Sequence, residues 1–286
     1  MDRKRLVVAV PASVISDTPH LREKTAKVGL IGRAAAIFRV DEIVVYRDDP
    51  KERQTSDLDL LATLLSYLET PQYLRKRLFK LEPCLQYAGI LPPLRTPHHP
   101  VSGKVEDLRV GEYREGVVLS DVKEGLLVDI GVEQAALLRE KEHKPRERLT
   151  LQVVKASGRV EVQAANRADI PEYWGYKVKV ERNSLRKAVE NARVDLAVGT
   201  SRKGTEIACV AAELAHKWKT ADSILVVFGS PARGLFDIAA DENMQLGQLL
   251  HFVVNTVPCQ GTETVRTEEA VLATLAVLNV EFGSNS

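Results

Sequence analysis

A chain of 286 residues, 44% hydrophobic and 28% charged, is long enough for one large core or two domains and has an ordinary globular composition. Its 40 Lys and Arg against 39 Asp and Glu exclude the strongly basic balance that would by itself single out a polyanion partner, though local patches can still steer one. Cys84, Cys209 and Cys259 share no metal-ligand spacing and cannot complete a disulfide framework, so neither structural zinc nor any other metal is expected.

Met1-Asp2-Arg3-Lys4-Arg5 leads into an apolar run of five residues, too short for a signal peptide or a membrane span, so a soluble, cytoplasmic protein is expected. Residues 6–10 read as a short strand closed by Pro11. Residues 21–40 read as a helix with Thr18 as N-cap and Pro19 in its first turn. Residues 43–46 form a second strand, ended by the turn signal Asp48-Asp49-Pro50. An amphipathic helix over 57–68 follows, and helical character continues over 73–79. Strand, helix, strand, helix in this rhythm predicts an α/β layer with parallel strands.

Pro92, Pro93, Pro97 and Pro100 break that rhythm, and residues 91–100 read as the exit from a first domain. The pair His98-His99 reads as a turn or surface feature rather than as metal ligands. Short strands follow over 116–122, 126–130, 135–138, 149–154 and 160–164, with Gly125 and Gly158 at tight turns. Five short strands suit a small barrel of the oligonucleotide-binding (OB) type. Residues 95–175 carry 13 basic and 14 acidic side chains, so charge does not mark the insert as an RNA binder. Its densest basic cluster, Arg139, Lys141, Lys144, Arg146 and Arg148, is interleaved with Glu140, Glu142 and Glu147. It fits an RNA-touching loop or a solvated hairpin tip equally.

From residue 176 the α/β pattern returns: strands over 176–180, 196–198, 224–228 and 251–254, and helices over 185–191, 206–218 and 270–278. The expected organisation is therefore an α/β domain built from residues 1–94 and 176–286, with a small β domain, 95–175, inserted between its halves.

Three strand ends are followed by loops rich in Gly, Ser, Thr, Asn and Gln: residues 199–204, 228–235 and 255–270. Loops at the C-terminal ends of parallel strands are the usual binding crevice of such a sheet. None is a GxxxxGK[ST] phosphate loop, and no G-x-G-x-x-G follows the first strand, which argues against an NTPase or an ordinary dinucleotide enzyme. A neutral, backbone-lined pocket suits an adenosine-containing ligand without a polyphosphate.

Val28-Gly29-Leu30-Ile31-Gly32-Arg33-Ala34-Ala35 resembles the N-x-G-x-x-x-R-x-A signature of SPOUT-class RNA methyltransferases, with Lys27 in place of the leading Asn. Phe228-Gly229-Ser230-Pro231 with Gly234-Leu235 resembles the second signature, Pro231 standing where some members have an acidic residue. Residues 260–270 resemble the third, knot-forming signature, the most specific of the three. The resemblance is to the archaeal and eukaryotic branch with a small inserted domain and spans nearly the whole chain.

It implies a parallel α/β sheet ending in a trefoil knot, an exception to the rule against threaded loops, with an OB-like barrel inserted. It also implies S-adenosylmethionine bent into the knot, an RNA substrate and a homodimer whose sites draw on both subunits. Base methylation of ribosomal RNA, with uridine N3 as the preferred atom, is the expected chemistry. Ribose 2′-O-methylation, or a non-catalytic RNA-binding ribosome assembly factor, are the alternatives.

On this reading Thr200, Gly229, Gly234, Asn255, Pro258, Gln260, Gly261 and Thr262 bind the cofactor. Arg33 places the substrate or stabilises its developing anion, and Glu263 acts as acid/base or orients the cofactor. Arg202, Arg75 and Arg77 hold RNA, the last two from a helix that also carries Lys76 and Lys80. Arg233 grips RNA or orders its loop, and Arg266 does the same or pairs with Glu263 or Glu269. Glu268 and Glu269 cap or flank the last helix, and Cys259 is a small buried side chain.

Overall fold

The computed structural model describes residues 4–230 and 232–283; Met1, Asp2, Arg3 and Pro231, named above, lie outside the described residues. In chain order the elements are β1 (Arg5–Pro11), α1 (Leu21–Ile37), β2 (Glu42–Tyr46), α2 (Thr55–Glu69), α3 (Gln72–Leu78), β3 (Tyr113–Val122), β4 (Gly125–Asp129) and β5 (Ala136–Leu138). Then come β6 (Arg148–Lys155), β7 (Glu161–Ala164), β8 (Lys177–Glu181), α4 (Leu185–Ala192), β9 (Leu196–Glu206), α5 (Ile207–Thr220), β10 (Ser223–Val227), α6 (Leu235–Asp241), α7 (Leu246–Leu249), β11 (Phe252–Asn255) and α8 (Thr267–Phe282). The N-cap expected at Thr18 is corrected: His20 is the capping residue, it makes no side-chain cap bond, and α1 starts at Leu21.

The chain divides into two compact units, Met1–Ser66 with Gln86–Pro92 and Tyr176–Ser286, and Tyr67–Leu85 with Pro93–Gly175. Helix α3 groups with the barrel residues because it packs on the barrel strands. The Tyr73 hydroxyl donates to the Glu115 carbonyl at 2.8 Å, and Arg77 pairs with Asp129 at 3.1 Å. A Cβ on Gly131 would lie 2.6 Å from the Tyr73 ring, so only glycine admits that ring.

In the first unit six strands form one parallel sheet in the order β11-β9-β10-β1-β2-β8. Alternate residues Val7, Ala9, Val44, Tyr46, Leu225 and Val227 pack on Leu185, Ala188 and Val189 of α4 and on Leu235 and Ile238 of α6. The intervening Val8, Val10, Ile43, Val45, Ile224 and Val226 are buried as well. Both faces are therefore covered, the condition under which parallel strands read as unbroken apolar runs. Each large aliphatic side chain buried in this way contributes roughly 2 kcal/mol. With every strand parallel, all the C-terminal ends lie along one edge.

β9 is longer than its apolar core because it is interrupted. Gly199 pairs with Val253, but the next pairing is Thr205 with Val254, so residues 200–204 loop out at a register shift. Gly204 lets the chain rejoin the sheet, since a Cβ there would sit 2.7 Å from the Val253 carbonyl oxygen.

The second unit is a closed barrel, β3-β4-β5-β7-β6, antiparallel except for the β5–β7 pair. Val118, Leu126, Val128, Ile130, Leu138, Leu151, Val153 and Val162 fill it. Beside this core lies a buried polar cluster. Arg148 meets Glu69 at 2.7 Å and Glu115 at 2.5 Å, and Glu115 also accepts from the Trp174 indole at 2.6 Å and the Thr150 hydroxyl at 2.8 Å. Burial raises the Glu69 carboxyl, but the Arg148 charge, with the hydrogen bonds from His98 and Arg148, outweighs it and holds the group at about 2.

His98 and His99, expected at the surface, instead belong to this cluster, and His98 is fully buried. Their Nε2 atoms lie 3.0 and 2.7 Å from the Glu69 carbonyl oxygen. That oxygen only accepts, so both rings carry a proton on Nε2. Gly175 makes the room: a Cβ there would fall 2.4 Å from His98 Cε1.

Candidate functional site

The ends of β9, β10 and β11 surround a cavity of about 250 Å³ in the α/β unit. Three loops far apart in sequence line it: residues 200–203, the turn through Gly229 and Gly234, and residues 255–265 with the first turns of α8. Phe228, Phe236, Val257 and Val265 supply its apolar surface, and Thr256, Thr267 and Thr274 supply buried hydroxyl-bearing walls.

Local hydrogen bonds hold each loop. The Thr200 hydroxyl donates to the Val227 carbonyl at 3.1 Å, fastening the β9 loop to the end of β10. The buried Tyr46 hydroxyl donates to the Phe228 carbonyl at 2.6 Å and the Thr267 hydroxyl to the Gly229 carbonyl at 3.0 Å. Desolvation raises the Tyr46 phenol well above its ordinary range, so it remains a donor. Ser230 N donates to the Arg233 carbonyl at 2.9 Å, closing the turn, and Gly234 N donates to Asp237 at 3.1 Å at the start of α6. In the third loop the Asn255 carboxamide accepts from Val257 N at 3.0 Å. Gln260 Nε2 donates to the carbonyls of Thr262 and Glu263, at 2.8 and 3.1 Å. Thr256 and Thr274 share a buried hydroxyl–hydroxyl bond of 2.7 Å.

Of the residues singled out in the sequence, Thr200, Arg202, Gly229, Gly234, Asn255, Gln260 and Glu263 line this one cavity. Pro258, Gly261 and Thr262 belong to the same loop but are exposed and outside the lining. Arg202 donates to the Glu263 carbonyl, and its own carbonyl is 3.4 Å from Asn255 Nδ2, so it clasps the first loop to the third. Arg33 is half-buried on α1 and outside the lining. Arg75 and Arg77 lie in the other unit. Arg75 donates to the Thr70 and Leu68 carbonyls at 2.9 and 3.1 Å and covers the Tyr67 ring, while Arg77 pairs with Asp129.

Arg233 orders its loop through Asp241 and, at 2.5 Å, Asp49. Glu269 caps α8 by accepting from Arg266 N at 2.9 Å. Glu268, expected to flank the helix, is instead buried 3.6 Å from the equally buried Lys27, which also holds Asp17 at 2.7 Å. Desolvation raises the Glu268 carboxyl. Cys259, expected to be buried, is exposed with a left-handed backbone (φ 56°), because the loop turns outward there.

Sequence reasoning missed Thr256, Thr267 and Thr274. Thr274 did leave a signal, a lone hydroxyl at an inward position of an otherwise apolar helix; Thr256 left none. Among the described residues no group of three or more His, Cys, Asp or Glu could hold a metal, and no helix is long and apolar enough to cross a membrane.

The arrangement offers an apolar wall, hydroxyls and backbone groups, with acidic Asp237 and Glu263 and basic Arg202 and Lys203 at its lining. Residues 5–278 match the sequence profile of a family described as "Putative RNA methyltransferase". A human 28S rRNA (uridine-N(3))-methyltransferase is 34% identical over 96% of this chain and 77% of its own length. The Drosophila melanogaster protein of the same name is 32% identical over 96% and 61%. An uncharacterised Halobacterium salinarum protein is 34% identical over 96% and 98%.

Proposed function

The chain belongs to this RNA methyltransferase family, and from that premise we propose that the three-loop cavity binds S-adenosylmethionine and that the protein methylates N3 of a uridine in ribosomal RNA. The observation that carries the reading is the convergence of three loops, separated by whole strands and helices, on one cavity. The uridine and its N3 are supported by the names that the human and fly relatives carry.

The lining fits the cofactor. Phe228 and the glycine backbones suit an adenine, the hydroxyls suit a ribose, and the carboxylate of Asp237 suits a cation. When bound, S-adenosylmethionine supplies an electrophilic methyl group. Thr200, Gly229, Gly234, Asn255 and Gln260 would hold and orient it, with Pro258, Gly261 and Thr262 of the same loop contributing from its exposed crown. Arg202 and Lys203 at the rim meet the RNA backbone, with Arg75 and Arg77 contributing from the barrel unit. Uridine N3 must lose a proton to attack; a cation beside the ring stabilises the anion and Glu263 takes the proton.

Arg33 is the cation we assign to that step. It lies three residues after Leu30 and four before Ile37, so the three share a face of α1. Leu30 and Ile37 are half-exposed, as is Leu272 of the neighbouring α8. This apolar stripe supports a homodimer in which Arg33 reaches the partner's cavity. We further read the barrel as OB-like and residues 255–270 as a trefoil knot. The Thr267–Gly229 tie supports the knot, joining the end of the last loop to the loop after β10. A cytoplasmic location completes the reading.

Incubation of unmodified ribosomal RNA with methyl-labelled S-adenosylmethionine, followed by nucleoside mass spectrometry, tests this. Labelled N3-methyluridine is expected. Label only in 2′-O-methyl nucleosides would move the chemistry to ribose, and no label would leave the assembly-factor reading.

A further inference from the structure

A second concavity lies on the same edge of the parallel sheet, at the ends of β2 and β8. It has a volume of about 290 Å³ and is lined by Arg47, Lys51, Glu52, Arg53, Gln54, Thr55, Leu58 and Arg182. Four cations thus face one carboxylate, in a chain whose total charge is nearly balanced.

How these charges are engaged decides what the cleft can do. Arg47 donates to the carbonyls of Asp49, Pro50 and Glu52 at 3.1, 2.8 and 3.2 Å. It therefore shapes the loop while its charge meets no carboxylate among the described residues. Arg53 is exposed and has no polar partner among the described residues. Lys51 and Arg182 rest on Asp241 at 3.3 Å and Asp59 at 2.7 Å. Both cations are well exposed, and exposed pairs are weak enough to exchange for a better anion.

Helix α2 is 15 residues long and starts in the cleft at Thr55. The side chain best placed to cap it, Gln54, is turned away: its Oε1 accepts from Asp48 N and Asp49 N at 3.0 and 3.1 Å, and its Nε2 donates to Asp48 at 2.9 Å. At this end of α2 Leu58 N donates to the Gln54 carbonyl at 3.0 Å, and Asp57 sets a carboxylate in the first turn, so the charge of the cleft comes from its side-chain cations. The free guanidinium charge of Arg53 and the exchangeable cations of Lys51 and Arg182 together match the oxygens of a phosphate.

We propose that this cleft binds a backbone phosphate of the RNA substrate. The assignment rests on the RNA reading above. Two strand spacings, roughly 10 Å, separate β10 from β2 along the sheet edge, so one RNA strand lying along that edge can serve both sites. Asp49, in the loop that forms the cleft, ion-pairs with Arg233 at 2.5 Å, in the loop that borders the first cavity, so the two are mechanically joined.

Arg53→Gln and Arg182→Gln remove exposed charge without touching the Arg47 scaffold. Binding of a short single-stranded RNA is measured by fluorescence anisotropy across a salt series, with S-adenosylmethionine titration as the control for folding. The double variant is expected to bind RNA about tenfold more weakly at low salt, with the slope of log affinity against log salt reduced by about one, and to bind the methyl donor as the native protein does. Replacing the RNA linkages by uncharged methylphosphonates should abolish the difference between native and variant proteins. Equal RNA affinity and slope would overturn the cleft assignment while leaving the RNA reading intact. Inorganic phosphate binding that is lost in the variant while RNA binding is unchanged would instead make it a site for free phosphate and overturn the backbone assignment. Failure of the native protein itself to bind RNA would overturn both.

Discussion

The two units treat polar side chains in opposite ways. In the barrel unit Glu69, Glu115, Arg148 and Trp174 are turned inward and bonded to one another. At the edge of the parallel sheet, Thr200, Asn255 and Gln260 bond to backbone groups of loops and strand ends, and they line open space. Buried polar groups must be fully partnered, so the first arrangement specifies a structure. Loops whose ends are pinned while their faces stay open are arranged to receive something else. Burial of a polar group is thus a poor guide to function in this chain, and convergence on a cavity is a better one.

The largest effect that would sharpen this contrast comes from Arg148→Met. It leaves two buried carboxylates without their cation and should cost about 3–5 kcal/mol in denaturant unfolding of the barrel unit. The methyl-donor affinity of the α/β unit should be unchanged under native conditions. Comparable loss of donor binding in the still-folded protein would break the separation.

The same cluster sets a pH dependence. Burial, with His98 beside it, lowers His99 from 6.5 to about 4. Because the folded state holds the ring neutral, this contribution is complete above pH 6.5 and is lost as the pH falls toward 4. Glu69, held at about 2 against 4.5, adds a further loss below pH 4.5. Thermal melts from pH 7.5 to 4 should show on the order of 3 kcal/mol of destabilisation from His99, and His99→Asn should flatten that part of the curve. An unaltered curve would remove His99 from the account.

On the cavity side, Arg33→Ala should slow methyl transfer by up to about a hundredfold, with donor affinity and melting temperature kept. Loss of folding would make Arg33 structural. Gly229→Val should weaken donor binding about tenfold, near 1.4 kcal/mol. A Cβ there lies only 3.0–3.1 Å from Leu235 N and the Arg233 carbonyl, so the loop must shift. The smallest change is expected for Gly261→Val. Its Cβ meets nothing within 4 Å, so stability should hold, and only a loop crown that meets the donor would lower its affinity, by a few fold. Unchanged affinity would confine the site to the cavity lining.

The alternation of strands and helices and the short-strand insert were legible because parallel strands, helices and small barrels impose different apolar periods. Loops 199–204, 228–235 and 255–270 were legible as strand-end loops because glycine and small polar residues follow apolar strands, and they line one cavity. Thr274 was not, since a hydroxyl in an apolar helix acquires its role only when Thr256 lies opposite at 2.7 Å. Nor were His98 and Glu268, whose burial depends on Gly175 and Lys27, distant in sequence. The extent of β9 was hidden for a related reason: pairing with β11 resumes after an excursion that carries no strand pattern.

The central claim is that the three strand-end loops form one methyl-donor site. Calorimetric titration of the native protein with S-adenosylmethionine tests it most directly. Saturable binding at one site per chain, weakened by Gly229→Val but not by Arg148→Met, is the predicted result. No heat of binding to the folded protein at millimolar donor, or binding indifferent to Gly229, would contradict it.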